Sequence, residues 1–115
     1  MHYVDGFVAA VSNANRTAYT EHCRLMGQVF KDHGALSVVD AWGDDVPEGK
    51  LTSFTMAVQR QADESVAFGW VVWATRAARD QGWAAAMADE RMKNAAMPFD
   101  GKRMIYGGFE MIASV

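Results

Sequence analysis

From Tyr3 to Val11 the chain reads YVDGFVAAV, an aromatic and β-branched run closed by Ser12 and Asn13, and the pattern predicts a first strand. Its two faces, Tyr3, Asp5, Phe7, Ala9, Val11 and Val4, Gly6, Val8, Ala10, are apolar apart from Asp5. Apolar residues then recur at three- and four-residue spacing. Ala18, Tyr19, His22, Leu25, Met26, Val29, Phe30 and His33 form one broad stripe, with Arg16, Thr20, Arg24 and Lys31 mostly opposite. The spacing predicts an amphipathic helix from an Asn13 or Asn15 cap to about Asp32, stopped by Gly34. Residues 35–43, ALSVVDAWG, alternate again and predict a second strand, with Leu36, Val38, Asp40 and Trp42 set against Ser37, Val39 and Ala41. A loop rich in Pro and Gly chemistry follows over residues 43–49. Phe54, Met56 and Val58 alternate with Thr55, Ala57 and Gln59, which predicts a short further strand at an edge or as an extension.

The plainest strand is SVAFGWVVW, residues 65–73. Val66, Phe68, Trp70 and Val72 point one way and Ala67, Gly69, Val71 and Trp73 the other, so both faces are apolar. An antiparallel sheet covered by helices on one side normally presents polar residues on the other. A second copy of the sheet is the economical cover, giving an isologous homodimer. Thr75 is placed to cap a second helix through about Met92. Ala77, Ala84, Ala88, Arg91 and Met92 fall near one stripe, Trp83 and Met87 on its flank, and Gly82 weakens the helix by about 1 kcal/mol relative to Ala. From Met97 to Val115 the run MPFDGKRMIYGGFEMIASV enters a last strand through Pro and Asp-Gly. Gly107 and Gly108 interrupt that strand and suggest a bulge or a close backbone approach. The order β-α-β-(β)-β-α-β, with helices segregated to one face of an antiparallel sheet, is a ferredoxin-like α+β pattern in one domain, residues 1–115.

Composition adds two constraints. Four Trp, six Phe, three Tyr and eight Met in 115 residues are many large apolar side chains for a small interior, so some should meet a partner subunit or a ligand. The net charge of -3, without a Lys/Arg cluster, argues against a nucleic-acid partner. One cysteine, Cys23, allows no internal disulfide, MHYVDGFV lacks a signal-peptide pattern, and no apolar run is long enough for a membrane helix. The expectation is a cytoplasmic protein without a membrane partner.

Two runs, GALSVVDAWGDDVPEGK (residues 34–50) and PFDGKRMIYGGFE (residues 98–110), together with the opening YVDGFV, resemble the YbaA-like family of small bacterial proteins of unknown function. The resemblance implies a ferredoxin-like protomer of the dimeric α+β barrel class, in which two sheets pack face to face. That class includes monooxygenases, haem-degrading enzymes and ligand-binding regulators, so it implies architecture rather than an activity. The family supplies no catalytic residues to carry over.

The candidate chemistry therefore rests on individual residues. His22, on the apolar stripe of the first helix, suits an acid-base group or haem ligand facing a helix–sheet pocket; it equally suits a core histidine bonded to a backbone carbonyl. Asp5, Asp40 and Glu110 are acids within apolar strands, and an interior one needs a partner such as His22, Arg60 or Arg103. His22 with Asp40 and Glu110 form the candidate catalytic set of an oxygenase-like site. Trp42, Trp70 and Tyr106 are candidate walls for a small apolar or aromatic ligand, or else core and dimer interface. His33 reads as a helix C-terminal residue favoured by the macrodipole, Cys23 as a buried thiol, and Asp44, Asp45 and Glu48 as a solvated turn rather than a metal site. No phosphate-loop, dinucleotide, hydrolase or zinc motif occurs, and the sequence specifies no cofactor.

Overall fold

The computed structural model describes residues 2–115. The strands are β1 (Tyr3–Ser12), β2 (Ser37–Trp42), β3 (Glu64–Trp73) and β4 (Ile105–Glu110). The helices are α1 (Arg16–Asp32), the short α2 (Phe54–Ala57), α3 (Arg76–Ala88) and the short α4 (Glu90–Lys93). The four strands form one antiparallel sheet in the order β2-β3-β1-β4. Long, aromatic and β-branched β1 and β3 pair along their full length at its centre, from Tyr3 opposite Trp73 to Ser12 opposite Glu64. Small side chains there, Ala9, Ala10 and Ala67, are essentially inaccessible.

Helices α1 and α3 lie on the face that carries Tyr3, Phe7, Val71 and Trp73. Val29 and Phe30 of α1 and Ala86 of α3 close that core around Trp73, which is completely buried. The Phe30 ring stands edge-on to Trp73 at 6.1 Å and to Trp83 at 4.9 Å, an arrangement favoured by the ring quadrupoles. The α3 face that buries is Gly82, Trp83 and Ala86, whereas Ala77, Ala84 and Ala88 of the predicted stripe are exposed. An alanine-rich helix has a shallow apolar pattern, and the close fit of Gly82 under Trp73 decides which side faces inward.

The helix predicted to run to Met92 breaks at Asp89, whose backbone is extended. Its carboxylate accepts from the Arg91 backbone N–H at 2.9 Å and so starts α4 instead of continuing α3. That carboxylate also meets His33 Nε2 at 2.9 Å and the Arg91 guanidinium, tying the end of α1 to this break. Asn15 precedes α1 without a side-chain cap, and Gly34, at φ 110°, ends the helix region as expected.

The segment expected as a further strand is helical. Ser53 accepts the Met56 N–H at 3.0 Å, and Thr55 and Val58 are buried at a spacing of three, while Phe54 and Met56 are exposed. Three alternating pairs do not distinguish a strand from one helical turn, and the serine cap does. This turn covers one end of the opposite sheet face, where Val58 packs with Val8, Ala10 and Val66. The rest of that face is open. Phe68 is 40% exposed and Phe109 58% exposed, with Val39, Trp70 and Ile105 beside them.

The last strand is shorter than the run that predicts it: β4 ends at Glu110. Gly107 and Gly108 stay in register, opposite Gly6 and Asp5, so there is no bulge. They provide close approaches instead. The Phe109 ring lies over Gly6 and Gly107 on the open face, and a Cβ at Gly108 would meet the Tyr3 hydroxyl and Arg79 on the helix face. Arg103, just before β4, holds Glu64 through two 2.7 Å bonds, and this pairing keeps the Glu64 carboxyl down at about 2.

Candidate functional site

A groove of about 690 Å³ runs between α1 and β2, at the edge of the sheet. Gly27 of α1 faces Val38 of β2, where a Cβ would make an ordinary contact at 3.6 Å with the valine methyl. Tyr19 and Cys23 come from the sheet-facing side of α1, and Asp40 and Trp42 from β2, alternate residues on one strand face. Arg16, Thr20 and Arg24 occupy the helix rim at four-residue intervals.

Tyr19, Cys23 and Asp40 line the floor together, close enough to influence one another electrostatically. Burial pushes the thiol up to about 12, helped by the negative charge of Asp40, and raises the Tyr19 phenol well above its ordinary value. Both are therefore neutral at physiological pH, and Cys23 is a thiol rather than a thiolate nucleophile. Burial also raises the Asp40 carboxyl, partly offset by the thiol contact. Gly69 lies under this carboxylate, where a Cβ would collide with it and with the Phe7 ring. At the other end the Arg16 guanidinium lies over the Trp42 ring, 5.3 Å from its centroid.

Among the sequence candidates, the groove thus brings together Asp40 and Trp42 only. His22 does not line it. Its imidazole packs against Tyr19 and Phe99, at 6.5 and 6.1 Å, and burial lowers its pKa. Glu110 and Tyr106 are exposed on β4, at the far edge of the sheet. Trp70 is on the open face against Phe68, 5.6 Å between centroids. Asp5 does face the interior, but its partners are Arg79, Trp73 and Trp83 rather than His22, Arg60 or Arg103. Tyr19 and the arginine rim are the groove residues that sequence reasoning passed over. The available signal was Arg16 and Arg24 two turns apart, flanking Tyr19 and Cys23.

The protein-family comparison matches residues 2–101 to a model described as a protein of unknown function, DUF1428. The chain belongs to the DUF1428 family. Relatives in this family include the uncharacterized protein YbaA of Escherichia coli K12 and the proteins of the same description in Escherichia coli O157:H7 and Shigella flexneri. Each is 48% identical over 114 residues, covering 97% of both chains. The similarity to YbaA thus spans the groove and the open sheet face. No helix among the described residues is long and apolar enough to cross a membrane.

Proposed function

We propose that the protein binds a small aromatic molecule in the groove between α1 and β2. The carrying observation is Asp40, a half-buried carboxylate that lines a groove together with Tyr19, Trp42 and the Cys23 thiol. The groove is lined by an aromatic pair, Tyr19 and Trp42, and by charged side chains, Arg16, Arg24, Lys31 and Asp40, so it offers both a ring surface and polar anchors. An oxygenase-like transformation, as in the wider barrel class, needs an acid-base group at the ligand, and Asp40 rather than His22 is the one facing this space. The reading includes a cytoplasmic location, supported by the lone half-buried thiol.

A thermal-shift screen with flavins, quinones and small aromatic acids tests it, because a ligand that binds only the native state raises the melting temperature. At least one class should raise it and quench tryptophan fluorescence. Trp42→Ala, at the groove wall, should abolish both effects. Binding that is unchanged in Trp42→Ala, or no binding in any class, overturns the proposal.

A second reading concerns the open sheet face. The strand order β2-β3-β1-β4 with both long helices on one face supports a ferredoxin-like subunit. Phe68, Trp70, Phe109, Ile105 and Val39 on the other face support a homodimer of two opposed sheets, a dimeric α+β barrel. Light scattering should give twice the 12.7 kDa chain mass, and Phe68→Glu should return the monomer with its far-ultraviolet circular dichroism intact. A monomeric wild type at tens of micromolar sinks this reading.

A further inference from the structure

We propose that the α1–β2 groove selects a small aromatic carboxylate that carries a hydrogen-bond donor at the far end of its ring, with the Arg16 guanidinium taking the carboxylate and Asp40 the donor. The inference deepens the groove-binding reading and rests on it.

Three features of the groove set this chemistry. The first is charge. The chain as a whole is acidic, with 14 Asp and Glu against 11 Lys and Arg. The groove reverses that balance, since Arg16, Arg24 and Lys31 line it and Asp40 is its one acid. Lys31 is engaged with the Leu36 carbonyl at 3.0 Å. Arg16 and Arg24 make no ion pair among the described residues. A guanidinium without a carboxylate partner is an open fork for a bidentate anion.

The second is placement. Arg16 is held over the Trp42 ring at 5.3 Å, which fixes the fork at one end of the groove above an aromatic surface. A ligand ring seated on the Trp42–Tyr19 wall would bring its anionic substituent to that fork.

The third is the floor. Asp40 stands two residues from Trp42 on the same face of β2, roughly 7 Å along the strand. Asp40 therefore lies along the groove from the Trp42 end, which Arg16 occupies. Asp40 lines the groove and makes no ion pair among the described residues, so its carboxylate has capacity to accept from a donor such as a phenol or an aniline. A single acid on an otherwise basic, aromatic-walled groove selects an anionic ligand that also carries a hydrogen-bond donor.

Isothermal titration calorimetry on the full chain, with 4-hydroxyphenylacetate as the probe, tests the assignment. Its uncharged amide, 4-hydroxyphenylacetamide, should bind at least tenfold more weakly, and phenylacetate, without the hydroxyl, should also bind at least tenfold more weakly. Arg16 is exposed, so Arg16→Leu should keep the fold, checked by its melting temperature, and should erase the preference for acid over amide. Asp40→Ala should erase the preference for hydroxyl over hydrogen while keeping that for acid over amide. If amide and acid bind equally, or Arg16→Leu leaves their ratio unchanged, the anion assignment is overturned while the groove remains a binding site. If none of the three compounds binds, but another aromatic ligand binds dependent on Trp42, the ligand class is overturned and groove binding stands. If no aromatic ligand binds, both readings fall.

Discussion

Replacing Asp5 by Ala should destabilise the protein by about 3–5 kcal/mol, the range found when one partner of a buried ion pair is removed. Asp5 is 5% exposed on the central strand. Its Oδ2 accepts from the indole N–H of Trp73 at 2.9 Å and of Trp83 at 2.8 Å, and its Oδ1 accepts from Arg79 Nε at 3.0 Å and Nη2 at 2.8 Å. The Arg79 guanidinium also lies over the Tyr3 ring, so α3 is anchored to β1 through one carboxylate. Removing it leaves a guanidinium and two indole donors facing an alanine, each with its own desolvation cost. A domain of this size should then lose roughly 15 °C of melting temperature.

Asp5→Asn should also be costly, because both carboxylate oxygens accept and the amide nitrogen would face donors. Combining Asp5→Ala with Arg79→Met should recover part of the loss by removing a guanidinium left with Asp80 as its one ion-pair partner, although the indoles stay unpaired. Urea denaturation measures all three variants. A loss below 1 kcal/mol for Asp5→Ala would show that the network contributes little.

Gly82→Ala should lower stability by about 2 kcal/mol, opposite in sign to the helix-propensity expectation of a gain of about 1 kcal/mol. In the middle of α3, Gly82 is where the helix rests on the Trp73 indole. A Cβ there would run into that ring and come within 2.9 Å of the His33 carbonyl oxygen. Neither neighbour has room to give, since Trp73 is fully buried and its N–H is committed to Asp5. At exposed Ala84 in the same helix, propensity is unopposed, and Ala84→Gly should cost about 1 kcal/mol. Chemical denaturation of the two variants separates packing from propensity, and a stabilised Gly82→Ala would refute the close-fit account.

The strands were the most legible part of the chain. β1, β2 and β3 fall within one or two residues of their predicted spans, because continuous β-branched and aromatic runs bounded by turn residues have few other uses. The helix faces were less legible. On α1, Tyr19, Val29 and Phe30 are buried as the stripe predicts, but Leu25 is 41% exposed, and Cys23, outside the predicted stripe, points to the sheet. The segment at Phe54 failed for a different reason: its alternation was too short to outweigh a serine cap.

The candidate site was legible in part. Asp40 and Trp42 share a strand face at a spacing of two, which the sequence shows directly. Their association with Tyr19, Cys23 and Arg16 depends on how α1 crosses β2, and His22 was displaced from that set by a rotation of the helix about its axis that periodicity is too coarse to resolve.

By itself the sequence determined the alternation of the central strands, their apolar character on both faces and the stopping of α1 at Gly34, because these depend on neighbours within a few residues. Only the tertiary structure decided that Arg79, rather than Arg60 or Arg103, neutralises Asp5, and that α3 turns Gly82, Trp83 and Ala86, rather than Ala77, Ala84 and Ala88, to the core. It also placed Arg16 over Trp42 beside an open groove. Each of these joins residues far apart in the chain, and long-range contacts are selected by packing and charge complementarity in three dimensions, which local spacing does not encode.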